Sequence, residues 1–410
     1  MSQSKGLRIL IMTPSLPYPP NWGFGIRVFK LIQHLAKQHE VSLLTYATED
    51  ADSKEKIAVL EKVCTNVHTI LPTHTGGLSK RKAQFVSLFS PISFQTRSLR
   101  SPAMQQRLHA LQAQEPFDII QTESSQMCGF DFGNHSLVLL DEHNLEYELL
   151  YRMYLSERSP GRRLYNWLEY VKFRKEEQNC WKRADGCILT SSREEEILRK
   201  EEPGKPTRTV PNGVDIEYFS PMEGMPDPES IVFTGLISYR PNTDAVLYFV
   251  QDILPLIRQK RPNVVFTIVG MGPPEEIKRL AGPNVVVTDA VPDVRPYVAK
   301  ASVVVVPLRM GSGTRLKVLE GLSMGKPMVS TSLGSEGITV RDGEHLLLAD
   351  TPETIAKSVL CLMENRELAT KLGKKGRKLA EQEYSWTSVG QTLEGFYAER
   401  LAAHPRSRSG

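Results

Sequence analysis

From Val303 the chain reads Val303-Val-Val-Val-Pro-Leu-Arg-Met-Gly-Ser-Gly-Thr-Arg-Leu-Lys-Val-Leu-Glu-Gly-Leu-Ser-Met-Gly-Lys-Pro327. An apolar run of strand character enters a Gly-Ser-Gly turn, and an amphipathic helical pattern leaves it. Glycines at 311 and 313 let a ligand come close to the main chain. A helix N-terminus presents unpaired N–H groups and the positive end of its dipole, a setting that favours phosphate. Arg315 and Lys317 fall in the expected first turn, where cations oppose the dipole unless an anion sits there with them. Glu320 shares a helix face with Lys317 and has two lone-pair-rich oxygens for a diol such as ribose. These residues describe a site for a phosphate-like anion beside a diol: Gly311, Ser312, Gly313 and Thr314 in the turn, Arg315 and Lys317 for charge, Glu320 for the diol. The alternative is an ordinary strand–turn–helix corner with surface charges.

A second polar cluster is Leu139-Leu-Asp-Glu-His-Asn-Leu-Glu-Tyr147, where an apolar strand ends on His143, Asn144 and Glu146. Ligands of open α/β sheets bind beyond the carboxyl ends of strands. Gln121-Thr-Glu123 ends another strand in the same way. His143 is either a site residue or a core or capping histidine; Glu123 and Asn144 are candidates for an acceptor side. Other chemistries lack their signatures. There is no Gly-x-Ser-x-Gly elbow, no His/Cys set with metal spacing, and no third glycine in the N-terminal Gly23-Phe-Gly25 for a dinucleotide fingerprint. Asp50-Ala-Asp52 lies in an acidic loop and reads as solvated charge. No metal ligand is assigned.

The elements that position these residues follow a repeated grammar. Leu7–Met12, Val41–Tyr46, Phe117–Gln121, Ser136–Leu140 and Gly186–Thr190 are strand-like, with helical spacing over Arg27–Lys37. A Pro-rich stretch, Pro221–Glu229, reads as a linker. The grammar then restarts: strands at Ile231–Thr234, Val264–Val269, Val285–Thr288, Val303–Pro307 and Lys326–Thr331, helices at Ala245–Ile257 and Arg315–Met324, and a last helix over Ser388–Leu401. Strand–helix alternation of this kind implies parallel sheets covered by helices. The expectation is an α/β chain of two doubly wound domains, 1–208 and 209–385, with residues 386–410 forming a helix that packs back on the first and ends in a frayed tail.

With 410 residues, such a chain buries a core without staples. Its five cysteines are odd in number and scattered, which fits a reduced cytosolic compartment. The apolar run at Leu7–Met12 is too short for a signal peptide core. A net charge of +4 argues against a nucleic-acid partner. That charge belongs to residues 1–210, which hold 28 basic and 24 acidic residues. Residues 62–114 contain no acid, and place Lys80, Arg81, Lys82, Arg97 and Arg100 among Phe85, Phe89 and Phe94. Such a stretch is either a solvated basic surface or a face for an anionic membrane.

These motifs together resemble the GT4-type retaining glycosyltransferases (group 1) of the GT-B fold. Beside the Gly311–Glu320 segment, Val210-Pro-Asn-Gly-Val-Asp215 resembles the family's interdomain turn, Phe233-Thr-Gly235 the opening of its donor domain, and Pro14–Arg27, with Gly23 and Gly25, its Gly-rich first loop. The resemblance implies two Rossmann-like domains facing across a cleft, a nucleotide-sugar held mainly by the second, and front-face transfer with retention. It implies ribose binding by Glu320, and sugar and acceptor contact by His143. Gly23, Gly25 and Gly235 would approach the donor, and Arg27 the acceptor side. The family often has a second glutamate eight residues before the first; here that position is Ser312. The donor is then a substrate, with no cofactor and no metal required. The acceptor would be a glycan or lipid-linked molecule of envelope, exopolysaccharide or glycolipid synthesis, made in the cytoplasm or at the inner face of the membrane. Two rivals share the fold: a nucleotide-sugar epimerase and a non-catalytic nucleotide-sugar-binding partner protein.

Overall fold

The protein is described from a computed structural model covering residues 6–72, 86–88, 90–114, 116–311, 313 and 315–404. The chain divides into two compact units, 1–210 with 390–410, and 211–389.

Unit 1 runs β1 (Arg8–Thr13), α1 (Gly23–Leu35), β2 (Glu40–Tyr46), α2 (Ala51–Leu60), β3 (Asn66–Ile70), α3 (Phe94–Leu99), α4 (Pro102–Gln114), β4 (Ile119–Glu123), β5 (Leu137–Glu142), α5 (Glu146–Ser156), α6 (Pro160–Arg183), β6 (Gly186–Leu189), α7 (Ser192–Glu201) and β7 (Thr207–Thr209). The sheet order is β3-β2-β1-β4-β5-β6-β7, and every neighbour is parallel. The order reverses between β1 and β4, the position at which open sheets bind ligands. Central strands are buried on both faces, hence their continuous Ile, Leu and Val runs.

Unit 2 runs β8 (Asp227–Thr234), α8 (Arg240–Tyr248), α9 (Leu254–Arg258), β9 (Val265–Val269), α10 (Glu275–Lys278), β10 (Val285–Val287), α11 (Arg295–Lys300), β11 (Ala301–Val306), α12 (Leu316–Ser323), β12 (Met328–Ser330), β13 (Leu347–Leu348), α13 (Pro352–Glu364) and α14 (Arg366–Glu383). Its parallel order is β10-β9-β8-β11-β12-β13. α15 (Trp386–Ala403) starts in unit 2 and ends in unit 1. There His34 and His39 each bond Glu394 at 3.1 Å, and Gly186 makes room for the Phe396 ring.

Three boundaries differ from the sequence reading. Asp227, Pro228 and Glu229 belong to β8, so the Pro-rich linker ends earlier. β4 and β5 each run two residues past their apolar runs, taking Glu123, Asp141 and Glu142 into buried strand positions. α1 begins at Gly23 rather than at Arg27.

Candidate active site

In unit 2, β11 delivers the chain to Gly311, whose φ of 125° suits glycine alone. A Cβ there would lie 3.2 Å from Arg315 Nη2. Arg315 precedes α12 as its N-cap residue (φ −85°, ψ 85°) rather than standing in its first turn. Its Nη1 donates to Gly313 O at 2.6 Å, and the side chain is buried. Lys317 donates from Nζ to Asn242 Oδ1 at 2.8 Å and stands 3.9 Å from the Phe233 ring centroid. Gly235 follows β8 with φ 152°, and a Cβ there would come within 2.8 Å of Lys317 Nζ. Glycine at 235 is therefore the condition for Lys317 to lie where it does.

Burial brings the Lys317 ammonium down from 10.5 to about 7, with Glu320 pulling back up and Arg315 adding to the fall. Burial likewise raises the Glu320 carboxyl to about 7, against the pull of Lys317. A polyanion beside Lys317 would favour its charged form.

In unit 1 a second group gathers where the sheet order reverses. Glu123 of β4 and Asp141 of β5 stand opposite each other in register, both without exposed surface. Arg27, on the first helix, is equally buried and clamps Asp141 through Nε at 3.1 Å and Nη2 at 2.9 Å. Glu123 Oε1 accepts from Gln121 Nε2 at 2.7 Å, and Oε2 pairs with His143 Nε2 at 2.7 Å. Tyr397 from α15 donates to Gln121 Oε1. Burial, with Asp141 second, raises the Glu123 carboxyl above its ordinary value, while the His143 contact lowers it. Phe24 stacks on the His143 ring at 4.9 Å. With Nε2 tied to Glu123, the other ring nitrogen is the one left for a substrate. Asn144 Oδ1 is buried with no hydrogen-bond partner among the described residues, an acceptor suited to a ligand hydroxyl.

Glu123, Asp141 and His143 also offer ligand atoms within 4.8 Å of one another. Each carboxylate oxygen already has a partner, however: Arg27 donates to both Asp141 oxygens, and Gln121 and His143 meet those of Glu123. A cation there would compete with a buried guanidinium.

The structure thus assembles Gly235, Gly311, Gly313, Arg315, Lys317 and Glu320 in unit 2, and His143, Glu123, Arg27 and Asn144 in unit 1. Ser312 and Thr314 lie outside the described residues. Two expectations change. Arg27 and Glu123 do not line an acceptor surface, because both are fully buried in the pairings that hold Asp141 and His143. Gly23 and Gly25 lie in the first helical turn rather than in a loop, and a Cβ at 25 would meet the Trp22 ring at 3.2 Å, so packing already accounts for that glycine. Sequence reading gave no role to Asn242, Asp141, Phe24 or Tyr397, and placed Gln121 only at a strand end. It also passed over Gly270, where a Cβ would fall 1.7 Å from Gly235 O; the Gly270-Met-Gly272 pair at a strand end was the available signal. Arg240 is exposed at the start of α8.

Two family models match the chain in order: Glycosyltransferase Family 4 over residues 23–218 and Glycosyl transferases group 1 over residues 228–365. An uncharacterised 44.6 kDa protein in the cps region of Klebsiella pneumoniae is 21% identical over 375 residues, 87% of this chain and 91% of that protein. Phosphatidyl-myo-inositol mannosyltransferase of Mycobacterium tuberculosis is 27% identical over 203 residues, 46% of this chain and about half, 53%, of that protein. Among solved structures, sucrose-phosphate synthase of Thermosynechococcus elongatus superposes with a TM-score of 0.67 at 19% identity, covering 97% of this chain and 100% of that one. Anabaena Alr3699/HepE in complex with UDP gives 0.65 at 13% identity, covering 96% and 100%. These likenesses establish the GT-B fold.

Proposed function

We propose, from the premise that this chain is a glycosyltransferase of the family 4 and group 1 type on a GT-B fold, that it retains anomeric configuration. It would move a sugar from a nucleoside-diphosphate sugar to an acceptor hydroxyl. The observation that carries this reading is the unit 2 constellation. Arg315 lies against Gly311 and Gly313, Lys317 against Gly235 and Asn242, and Glu320 lies one helical step from Lys317. Departure of a diphosphate from a carbon that becomes cationic needs fixed positive charge at the leaving oxygens. Arg315, Lys317 and the N-terminus of α12 supply it. Glu320 holds the nucleoside's diol. Glu123 orients His143, which with Asn144 meets the reacting sugar and the acceptor. Retention follows from front-face attack, in which the leaving phosphate takes the acceptor proton. We read the charge stabilisation as the work of side chains and helix, with no metal required.

The setting is envelope polysaccharide or glycolipid synthesis. The similarity to a cps-region protein supports a polysaccharide, and the similarity to a phosphatidylinositol mannosyltransferase supports a lipid-linked acceptor. A screen of nucleotide-sugars monitored by nucleotide release, with and without lipid extract, tests the reading. Glu320→Ala should weaken donor binding at least tenfold, and His143→Ala should lower transfer more than donor binding. Production of an epimer without acceptor, or nucleotide binding with no transfer to any acceptor, would replace this reading by one of its rivals.

A further inference from the structure

α5 and α6 form a helical hairpin joined by residues 157–159. Its register is antiparallel: the Tyr151 ring lies 5.1 Å from that of Tyr170, and Arg163 lies over Tyr154 at 5.0 Å. Leu155, next to last in α5, and Leu164, in the first turns of α6, both lie toward the tip of the hairpin. Leu164, Trp167 and Val171 recur at i, i+3 and i+7, one face of a helix. They are 58%, 42% and 45% exposed, and Leu155 is 54% exposed. A continuous apolar face on a water-exposed hairpin is an interaction surface.

The charges around it say what it meets. Arg158, Arg162 and Arg163 surround the tip, all exposed, and none pairs with a carboxylate among the described residues. One turn beyond Val171 on the same face, Lys175 opens a groove of about 480 Å³, also lined by Arg100, Lys182 and Arg183. A symmetric contact between two copies would set this arginine cluster against itself. An anionic bilayer satisfies both parts: Trp and Leu enter the headgroup boundary while arginines and lysines stay with phosphates. No helix among the described residues is long and apolar enough to cross a membrane, so the contact is peripheral.

We propose that the outer face of the α5–α6 hairpin is a docking surface for an anionic lipid bilayer. Of the basic stretch read in the sequence it takes in Arg100; Lys80, Arg81, Lys82, Phe85 and Phe89 lie outside the described residues. The proposal rests on the lipid-linked acceptor reading for its purpose and deepens it. α5 starts three residues after His143 and is roughly 16 Å long, at 1.5 Å per residue. The membrane would hold that end of unit 1 within reach of a lipid headgroup.

Flotation of the full chain with phosphatidylglycerol–phosphatidylcholine vesicles tests this, with phosphatidylcholine vesicles as the comparison. Wild type should float with the anionic vesicles and lose binding as salt rises. Arg158→Glu/Arg162→Glu/Arg163→Glu should bind at least about a hundredfold more weakly, and Leu164→Asn/Trp167→Asn at least tenfold. Brominated lipids should quench wild-type tryptophan fluorescence more than that of Trp167→Phe, a readout that survives if a double or triple variant folds poorly. Wild type remaining with the lipid-free fraction, variants floating like wild type, or variants that only abolish self-association would overturn the proposal. Nucleotide release from a panel of nucleotide-sugars, with lipid extract present as acceptor, is read in parallel. Its absence in wild type would sink the glycosyl-transfer reading and leave the membrane result standing.

Discussion

Lys317→Met separates the functional use of this lysine from its structural cost. In the folded chain its Nζ has one side-chain oxygen, on Asn242 at 2.8 Å, and the Phe233 ring at 3.9 Å. Burial lowers its ionisation from 10.5 to about 7. Unfolded, the lysine keeps its proton up to 10.5; folded, it gives the proton up above about 7. The penalty is therefore fully present below about pH 7 and vanishes as pH approaches 10.5. Allowing for the water that still reaches this half-buried group, the penalty is on the order of 2–3 kcal/mol. Methionine fills the same volume and packs well on an aromatic ring. The variant should melt about 5 °C higher near neutral pH, at roughly 2–4 °C per kcal/mol for a unit of this size. The gain should shrink as pH rises toward 10. Turnover should move the other way. One charge at about 4 Å from a diphosphate oxygen, in a medium of effective dielectric about 20, contributes about 4 kcal/mol, so the rate should fall by about 10²–10³. Scanning fluorimetry against pH and nucleotide release from the donor measure the two effects. Wild-type turnover in Lys317→Met would refute the phosphate role. A lower melting temperature at pH 7 would refute the claim that the lysine is held at a cost.

Glu142 is raised from 4.5 to about 8, chiefly by burial, although Trp181 and Ser125 donate to it. It stays protonated in the folded chain while the unfolded chain ionises it, so the stability of unit 1 should fall between about pH 4.5 and 8 and level off above. Glu142→Gln should flatten that fall in a series of thermal melts. Arg27→Met leaves the buried Asp141 carboxyl without its guanidinium partner and should cost about 3–5 kcal/mol, whereas Arg27→Met with Asp141→Leu should recover most of it, as denaturant titration would show.

The same buried charges show where sequence reading succeeds and stops. The Val303–Val306 strand, the glycine turn and the spacing of Arg315, Lys317 and Glu320 are contiguous in the chain, so their roles could be argued from local rules. Glu123, Asp141 and Glu142 could not. A carboxylate after an apolar run reads as the end of a strand, since a lone charge is expelled from a core. Here each is tolerated inside a strand because a group from another element meets it: Arg27 for Asp141, His143 for Glu123, Trp181 for Glu142. The hairpin face went unread for a related reason. Leu164, Trp167 and Val171 at helical spacing look like core until packing shows which side of α6 is left uncovered.

The sequence by itself determined the α/β grammar, its restart after a proline-rich break, and an anion-binding turn in the second half, because periodicity, turn chemistry and helix-end electrostatics act within a few residues. Tertiary structure decided which charged residues are buried, which histidine nitrogen stays open, and where the exposed apolar face lies. Those outcomes depend on pairings such as Arg27–Asp141 and Gln121–Tyr397. Whether a charge or an apolar ring is stable at a given place is set by what the folded chain puts against it.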